Sequence, residues 1–263
     1  MKIIDAHTHC FTDSIVERAM AKLSVAIPYP PAHDGTVAGL INAQLEAGVD
    51  ISVMAPIATK PSQNEHINEW AASVQSDKLR CMGSVHPKTE NYKEVIDKIA
   101  ALGLVGIKFH PEYQDYYIDD ENVIPIYEYA AFKGLPMLFH AGADIAYKPP
   151  YKAPPKSCAK LARRLPGAKI ICAHLGGNWV YDEALEELEN TNVYIDLAAT
   201  CFDVTGDRLK NFILAYGTHR VMFATDSPWT PPKKGVQVLN ECGLSTQQLE
   251  QVFYKTAESV FGI

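Results

Sequence analysis

The sequence contains no Cys-x-x-Cys pair and no apolar run that approaches the length of a membrane-spanning helix. Its six cysteines are dispersed over 263 residues, and a chain of this length does not need disulfides to be stable. The first residues, MKIIDAHTHCF, also lack the apolar stretch of a signal peptide, because Asp and His interrupt them. We therefore expect a cytoplasmic protein with reduced, mostly buried cysteines and no membrane partner.

Long runs of basic residues are absent as well. The chain has 24 Lys and Arg against 31 Asp and Glu, which gives a formal net charge of -7. Contacts to phosphates dominate affinity for nucleic acids, so an acidic chain without a basic stripe is a poor candidate for binding them. We expect a small-molecule partner and no nucleic acid.

Low-complexity segments and tandem repeats are absent, and the turn after the first apolar run, HTHCF, has no glycine. An open doubly wound sheet, which is the competing fold, usually begins with a glycine-rich turn that binds a nucleotide. The chain instead alternates helical patterns with short apolar runs rich in β-branched residues. Eight such runs are strand candidates, at 3–6, 51–55, 81–86, 104–109, 135–139, 168–173, 193–197 and 220–224. Eight parallel βα units predict closure into a (β/α)8 (TIM) barrel, in the α/β class.

The segments between the runs have the three- and four-residue spacing of helices packed on a sheet. The first gap is longer and predicts two helices, at about 13–24 and 35–48, joined by a proline-rich turn at 27–31. A second proline-rich stretch, at 147–155, lies inside the alternation and predicts a loop at the barrel mouth. We predict a single domain over 1–263.

Polar residues recur where the predicted strands end. His7 and His9 end the first strand, two positions apart and therefore on one side of it. His140 ends the fifth strand, His174 the sixth and Asp226 the eighth. The carboxyl ends of barrel strands meet at one mouth, so these five groups should converge there and favour a metal site. Imidazole and carboxylate ligands suit zinc, with iron, manganese and nickel as alternatives.

The segments DAHTH, GIKFHP, LFHAG, AHLGG and FATDSPW resemble the motifs of the amidohydrolase superfamily. The nearest branch is the amidohydrolase-related group of metal-dependent hydrolases and decarboxylases, and the resemblance spans essentially the whole chain. It implies that His7, His9, His140 and Asp226 match the metal ligands. It also implies that His174 matches a histidine that binds a second metal in two-metal members and is catalytic in one-metal members.

Lys108, in GIKFHP, leaves the number of metal ions open. The resemblance allows a carboxylated Lys108 that bridges two metals together with His174. The alternative is an ordinary ammonium group that binds an anionic substrate or pairs with a carboxylate. Because the nearest branch often has one metal, we expect one divalent ion, with two as the alternative.

Three further residues are candidates for binding the substrate. His86 and His110 end the third and fourth strands, each before a proline, and either contact the substrate or support the loops. Trp229 lies on a predicted mouth loop, where it either forms a wall for an apolar substrate or simply packs. Asp196 ends the seventh strand and either faces the pocket or caps a turn.

The leading expectation for function is hydrolysis of an amide, ester or lactone of a small molecule by metal-activated water, with Asp226 as general base and His174 stabilising the oxyanion. The first alternative is non-oxidative decarboxylation of a small aromatic or unsaturated carboxylic acid. A metal-binding scaffold or sensor without turnover is the third reading, and the complete ligand set argues against it. The resemblance also suggests a homodimer, although no segment of the sequence identifies an interface.

Overall fold

The computed structural model describes residues 1–25, 27 and 29–263. Short parallel strands alternate with helices along these residues. The strands are β1 (Ile4–Thr8), β2 (Ile51–Met54), β3 (Leu79–Cys81), β4 (Gly83–Ser84), β5 (Ile107–Phe109), β6 (Met137–Phe139), β7 (Ile170–Cys172), β8 (Tyr194–Asp196) and β9 (Val221–Met222). Each strand pairs in parallel with its neighbour in sequence, except at the step between β3 and β4.

The helices follow the predicted alternation. They are α1 (Val16–Leu23), α2 (Val37–Glu46), α3 (Asn64–Ser73), α4 (Tyr92–Ala101), α5 (Pro111–Gln114), α6 (Ile124–Phe132), α7 (Pro155–Arg164), α8 (Tyr181–Leu188), α9 (Gly206–Tyr216), α10 (Pro232–Glu241), α11 (Thr246–Glu250) and α12 (Thr256–Phe261). The two helices predicted in the first gap are α1 and α2. The proline-rich turn predicted between them includes residue 28, which lies outside the described residues. No helix among the described residues is both long and apolar enough to cross a membrane.

The third predicted strand, 81–86, differs from the structure. Two short strands, β3 and β4, stand in its place and begin two residues earlier than predicted. Met82 lies between them, and its backbone N–H donates to the carbonyl of Met54 at 2.9 Å. The third position of the barrel is therefore continuous with β2, although its pairing is interrupted.

Backbone contacts between β1 and the segment after β9 close the barrel. Ala6 N donates to Phe223 O at 3.0 Å, and His9 N donates to Ser227 O at 2.7 Å. The buried carboxylate of Asp5 adds to this closure, because it accepts hydrogen bonds from the backbone and hydroxyl of Thr225 and from Gln44 on α2. Eight strand positions thus form a (β/α)8 barrel, and the predicted fold class is confirmed.

The apolar core has two layers, as the alternation of side chains along a strand requires. One layer fills the barrel interior and includes Leu138, Ile171 and Met222. The other lies between strands and helices and includes Ile107 and Phe109. Lys108 stands between these last two residues, so the strand period directs its side chain into the barrel. All six cysteines are free and buried.

Candidate metal centre

Three of the predicted ligands meet where β1 ends. The backbone N–H of Asp226 donates to His7 O at 2.9 Å, which sets the loop after β9 against the end of β1. Asp226 Oδ1 then lies 3.0 Å from His9 Nε2 and 3.6 Å from His7 Nε2. The ligand atoms of these three residues all lie within 4.8 Å of one another, close enough to hold one metal ion.

His140 and His174 complete the cluster from the ends of β6 and β7. His174 Nε2 lies 3.0 Å from His140 Nδ1. The rings of His174 and His7 are 5.5 Å apart, centre to centre. The five groups singled out in the sequence therefore border one space at the barrel mouth. His140 also belongs to a neighbouring group with His110 and Asp144. The ligand atoms of these three residues likewise lie within 4.8 Å of one another.

The hydrogen bonds of these rings decide which nitrogen has the proton. His140 Nε2 lies 3.1 Å from Ala143 O, and His174 Nδ1 lies 3.0 Å from Ala198 O. A carbonyl oxygen only accepts, so each of these nitrogens is the N–H donor of its ring. The two remaining nitrogens, which face each other, then present lone pairs in the neutral rings. Such an arrangement is repulsive unless a cation lies at their junction, and this donor set fits a divalent metal.

His7 has the same arrangement. Its Nδ1 donates to Asp196 Oδ2 at 2.9 Å, which leaves the lone pair of Nε2 directed toward Asp226 and Lys108. Burial, and then the charge of Lys108, hold the pKa of His7 well below its usual value. Burial likewise lowers the pKa of His140. Both rings are therefore neutral, the form in which imidazole binds metals.

The carboxylate of Asp226 stays ionised in this surrounding. Burial by itself raises the pKa of Asp226, but the hydrogen bond from His9 and the electrostatic influence of the surrounding imidazoles outweigh it, and the pKa falls well below the usual value. The Asp226 backbone has φ 65°, in the left-handed region where aspartate and asparagine are better tolerated than most residues. Its conformation thus follows from the contacts that aim its side chain at the histidines.

Lys108 places a buried ammonium group next to the histidine cluster. Its Nζ lies 2.9 Å from His7 Nε2. Burial lowers the pKa of Lys108 from 10.5 to about 8, although the charges of Asp226 and Asp196 oppose the change. Lys108 is the single lysine or arginine among the buried polar residues that the structure describes. It therefore places a positive charge next to His7, inside the cluster.

Asp196 has both of the roles that the sequence left open. Its Oδ1 accepts from the backbone N–H of Ala198 at 3.0 Å, which caps the turn after β8, and from that of His174 at 2.9 Å, which holds the segment after β7. Its Oδ2 accepts from His7 Nδ1 inside the pocket. A carboxylate in this position orients a ligand imidazole and fixes its tautomer.

We expect Asp196→Asn to weaken binding of a divalent metal by about 10- to 100-fold, because an amide no longer fixes His7 by a charge-assisted bond. Isothermal titration of Mn²⁺ into the purified chain measures the change. Asp203→Asn is the matched control, because that exposed carboxylate bonds to Trp179 and Tyr181 instead. Equal metal affinity in wild type and Asp196→Asn would contradict the role.

His110 lies beside the metal cluster rather than in it. Its ring is stacked between Tyr113 and His140, at centre-to-centre distances of 3.9 and 4.3 Å. Its Nδ1 accepts from the backbone N–H of Tyr113, and its Nε2 lies 3.5 Å from Asp144 Oδ2. His110 therefore lies next to His140, and its predicted contact with substrate stays a prediction.

The other two candidates lie further from the cluster. His86 is buried, its Nδ1 accepts from Lys88 N, and its own backbone N–H donates to Asn64. These contacts order the loop after β4, in line with the supporting role. The backbone of Trp229 donates to Asp226 O at 3.0 Å, which closes the turn that presents Asp226. Substrate contacts of both residues stay predictions.

Two residues near the metal cluster were not identified from the sequence. Asp144 lies four positions after His140 on the loop after β6, and 93% of it is buried. Burial raises the pKa of its carboxyl group above the usual value. His33 is half-buried near His9, and its Nε2 is buried without a partner in the described structure. An isolated loop residue has no periodic pattern that reveals such burial.

With this geometry established, comparison with known proteins decides the family. The family model described as Amidohydrolase matches residues 4–263. The chain belongs to the amidohydrolase family. No curated protein sequence matches it.

The solved structures that share its fold include enzymes named as decarboxylases and as a hydrolase. 5-Carboxyvanillate decarboxylase of Sphingomonas paucimobilis has a TM-score of 0.80 and 18% identity, covering 100% of this chain and 99% of that one. The 5-carboxyvanillate decarboxylase of Novosphingobium aromaticivorans, solved with bound manganese, has a TM-score of 0.78 and 17% identity, covering 100% and 97%. A probable 2-pyrone-4,6-dicarboxylic acid hydrolase of Acinetobacter baumannii has a TM-score of 0.69 and 16% identity, covering 100% of both chains.

Proposed function

We propose that this amidohydrolase is a metal-dependent decarboxylase that removes CO₂ from a small carboxylic acid without oxidation. One divalent ion would be held by His7, His9, His140 and Asp226. The sequence ranked hydrolysis first, but two of the three structural neighbours described above are decarboxylases by name, and one of them contains manganese. These likenesses favour decarboxylation and make manganese as reasonable an ion as zinc.

The observation on which the proposal rests is the buried ammonium group of Lys108. The charges of Asp226 and Asp196 act on Lys108 only from a distance, and a substrate carboxylate beside Lys108 would give this buried cation an anion in direct contact. The same position lies against His7 and Asp226, so the carboxylate would sit between the ion and Lys108. Hydrolysis of an uncharged amide or ester has no need of this second positive charge.

The residues then have separate tasks. A bound metal ion would neutralise the carboxylate and orient it. Lys108 pairs with that carboxylate and holds it next to His7. When the bond between the carboxyl carbon and the substrate breaks, its electron pair stays on the substrate carbon and CO₂ leaves. That carbon takes up one proton, which comes from solvent. We assign its relay to the ionised carboxylate of Asp226, which would accept this proton and pass it to the carbon, with His174 opposite.

The direct test is release of CO₂ from a panel of aromatic and unsaturated carboxylic acids by the Mn²⁺-loaded chain. We expect at least one acid to release CO₂ and give the decarboxylated product, and a chelator to stop the reaction. In Lys108→Met, kcat/KM for that acid should fall by about 10- to 100-fold, because a charge-assisted contact with the carboxylate is lost. Lys169→Met, which removes a lysine bonded to helix carbonyls, is the control. An unchanged kcat/KM in Lys108→Met would contradict the assignment.

Hydrolysis is the second candidate, supported by the likeness to the probable 2-pyrone-4,6-dicarboxylic acid hydrolase over the full chain. The same protein should therefore be offered lactones, esters and amides that bear a carboxylate. Metal-dependent hydrolysis without CO₂ release from any acid would replace decarboxylation with this reaction.

A further inference from the structure

The groups of the metal centre are almost closed off from solvent. Lys108 is 1% exposed, and His7 and His174 are buried as well. The side chains of His9 and Asp226 are more accessible, at 13% and 15%. A substrate that contacts these groups is several atoms wide, so part of the barrel mouth has to move before it can enter. The remaining exposure indicates that the entrance lies on the side of His9 and Asp226.

The segment between β1 and α2, residues 11–35, lies on that side of the mouth. The backbone N–H of Ala32 donates to Pro228 O at 2.8 Å, so this part of the segment rests on the turn that follows the aspartate ligand. The next residue, His33, lies near His9 and has its Nε2 buried. The segment therefore covers the pair of ligands through which the centre is most accessible.

Few contacts hold this segment against the barrel. None of the described residues from 12 to 34 is buried, whereas every other loop at the mouth contains buried residues. Its contacts across the mouth include the bond from Ala32 and a stack of Tyr29 on Phe202, from the loop after β8, with ring centres 4.2 Å apart. Segments that bury little apolar surface open at a smaller cost in free energy than the core does.

The segment also packs on itself. The backbone N–H of Phe11 donates to Gly35 O at 2.9 Å, which fixes its two ends together. Val16 and Met20 of α1 lie against Gly35, because a side chain at that glycine would collide with both. Gly35 has φ 82°, a conformation that glycine adopts without strain. Residues 12–34 are thus one unit that can move about the junction of Phe11 and Gly35.

We propose that residues 12–34 form a cover over the metal centre, which is closed by the stack of Tyr29 on Phe202 and opens to admit ligands. Opening breaks this stack and the bond from Ala32 to Pro228, while the ligands on β1 stay in place. The cover controls access to the centre, whichever reaction takes place there. It should therefore change the rates at which a metal ion or substrate enters and leaves, and not the equilibrium affinity for the ion.

The test locks the cover with a disulfide in the double variant Tyr29→Cys with Phe202→Cys. All six native cysteines are buried, so diamide should oxidise the two new thiols selectively. Capture of Mn²⁺ from the loaded chain by the planar chelator pyridylazoresorcinol is followed by absorbance. In the oxidised variant we expect capture to slow by about 10-fold or more, because the minor open state can no longer form. Reduction with a phosphine should restore the rate, and each single cysteine variant is a control.

A second variant tests the cover without a cross-link, and it decides the matter if the disulfide does not form. Phe202→Ala removes the stack and should speed capture of Mn²⁺ by about 3- to 10-fold, as loss of an aromatic contact would produce. The equilibrium affinity for Mn²⁺, measured by isothermal titration, should stay at the wild-type value. Phe132→Ala removes an exposed aromatic ring on α6 and should change neither quantity.

Two results would overturn the cover. One is an oxidised double variant that loses Mn²⁺ as fast as its reduced form, and the other is wild-type capture in Phe202→Ala. A weaker equilibrium affinity in Phe202→Ala would also contradict it, because the stack would then support the ligands themselves. No measurement here uses turnover, so the cover can fail while the proposed decarboxylation stands, and the reverse.

Discussion

Asp226→Asn should reduce kcat by about 1000-fold or more while the metal-free chain retains its fold. The variant removes both the carboxylate that faces His7 and His9 and the proposed proton carrier, and removal of a group that acts directly in catalysis has effects of this size. Asparagine suits the backbone here, because it tolerates the left-handed conformation at φ 65°. Two measurements test this prediction. They are turnover of the carboxylic acid that the enzyme decarboxylates, and the melting temperature of the metal-free variant.

Asp115→Asn is the matched control for this variant. Asp115 also has a left-handed backbone, with φ 56°, but its exposed side chain pairs with Lys152 and Lys88. It should retain full turnover. Asp226→Ala is a poorer probe, since alanine at positive φ adds about 1 kcal/mol of strain that mixes a folding effect with the chemical one. Turnover by Asp226→Asn within tenfold of wild type would remove Asp226 from the mechanism.

The strand-end pattern predicted the centre because parallel barrel strands all end at one mouth. That rule required no knowledge of loops, and it led to His7, His9, His140, His174 and Asp226, which the structure brings together. The barrel itself was predicted from eight apolar runs separated by helical patterns, because both patterns reflect which residues of a strand or helix are buried.

Local periodicity fails where a distant contact sets the geometry. Ile4 and Ala6 pack in the barrel interior, so strict alternation would turn His7 toward the helices with Asp5. The register shift between Asp5 and Thr8 breaks that alternation, and His7 reaches the pocket. No feature of the β1 sequence predicts this register shift.

The supporting residues are beyond local patterns for the same reason. Asp196 acts on His7 across 189 positions of sequence, and a single aspartate at a strand end does not specify which partner it meets. The loop bearing Asp144 is set by a bridge between Gly142 and Asn178, with Gly142 at φ 79°. A side chain at Gly142 would collide with the backbone of Asn178, so this approach depends on glycine. The proline-rich stretch at 147–155 predicted a loop in this region, but it did not predict the path of the loop backbone.

A divalent ion should stabilise the chain strongly, which is the second large effect that we expect. A ligand present at about 100 times its dissociation constant adds about 2.7 kcal/mol to the free energy of unfolding. In a chain of this size that gain raises the melting temperature by about 5 to 10 °C. The physical source is relief of the facing lone pairs of His140 and His174, together with the charge of Asp226. Thermal melting with Mn²⁺ or Zn²⁺, and elemental analysis of the dialysed protein, measure the effect and the stoichiometry.

We expect one ion per chain, and Zn²⁺ should bind more tightly than Mn²⁺ because the general order of divalent affinities applies to nitrogen and oxygen ligands. His9→Asn should lose most of the thermal shift, since His9 faces Asp226 directly at 3.0 Å. His66→Asn, at an exposed position on α3, should retain it. Two ions per chain would indicate that Lys108 is carboxylated and bridges them, and would withdraw the ammonium group from the proposed decarboxylation. If His9→Asn kept the full shift, the ion would bind outside the group formed by β1 and Asp226, and the chemistry proposed for that group would fail with it.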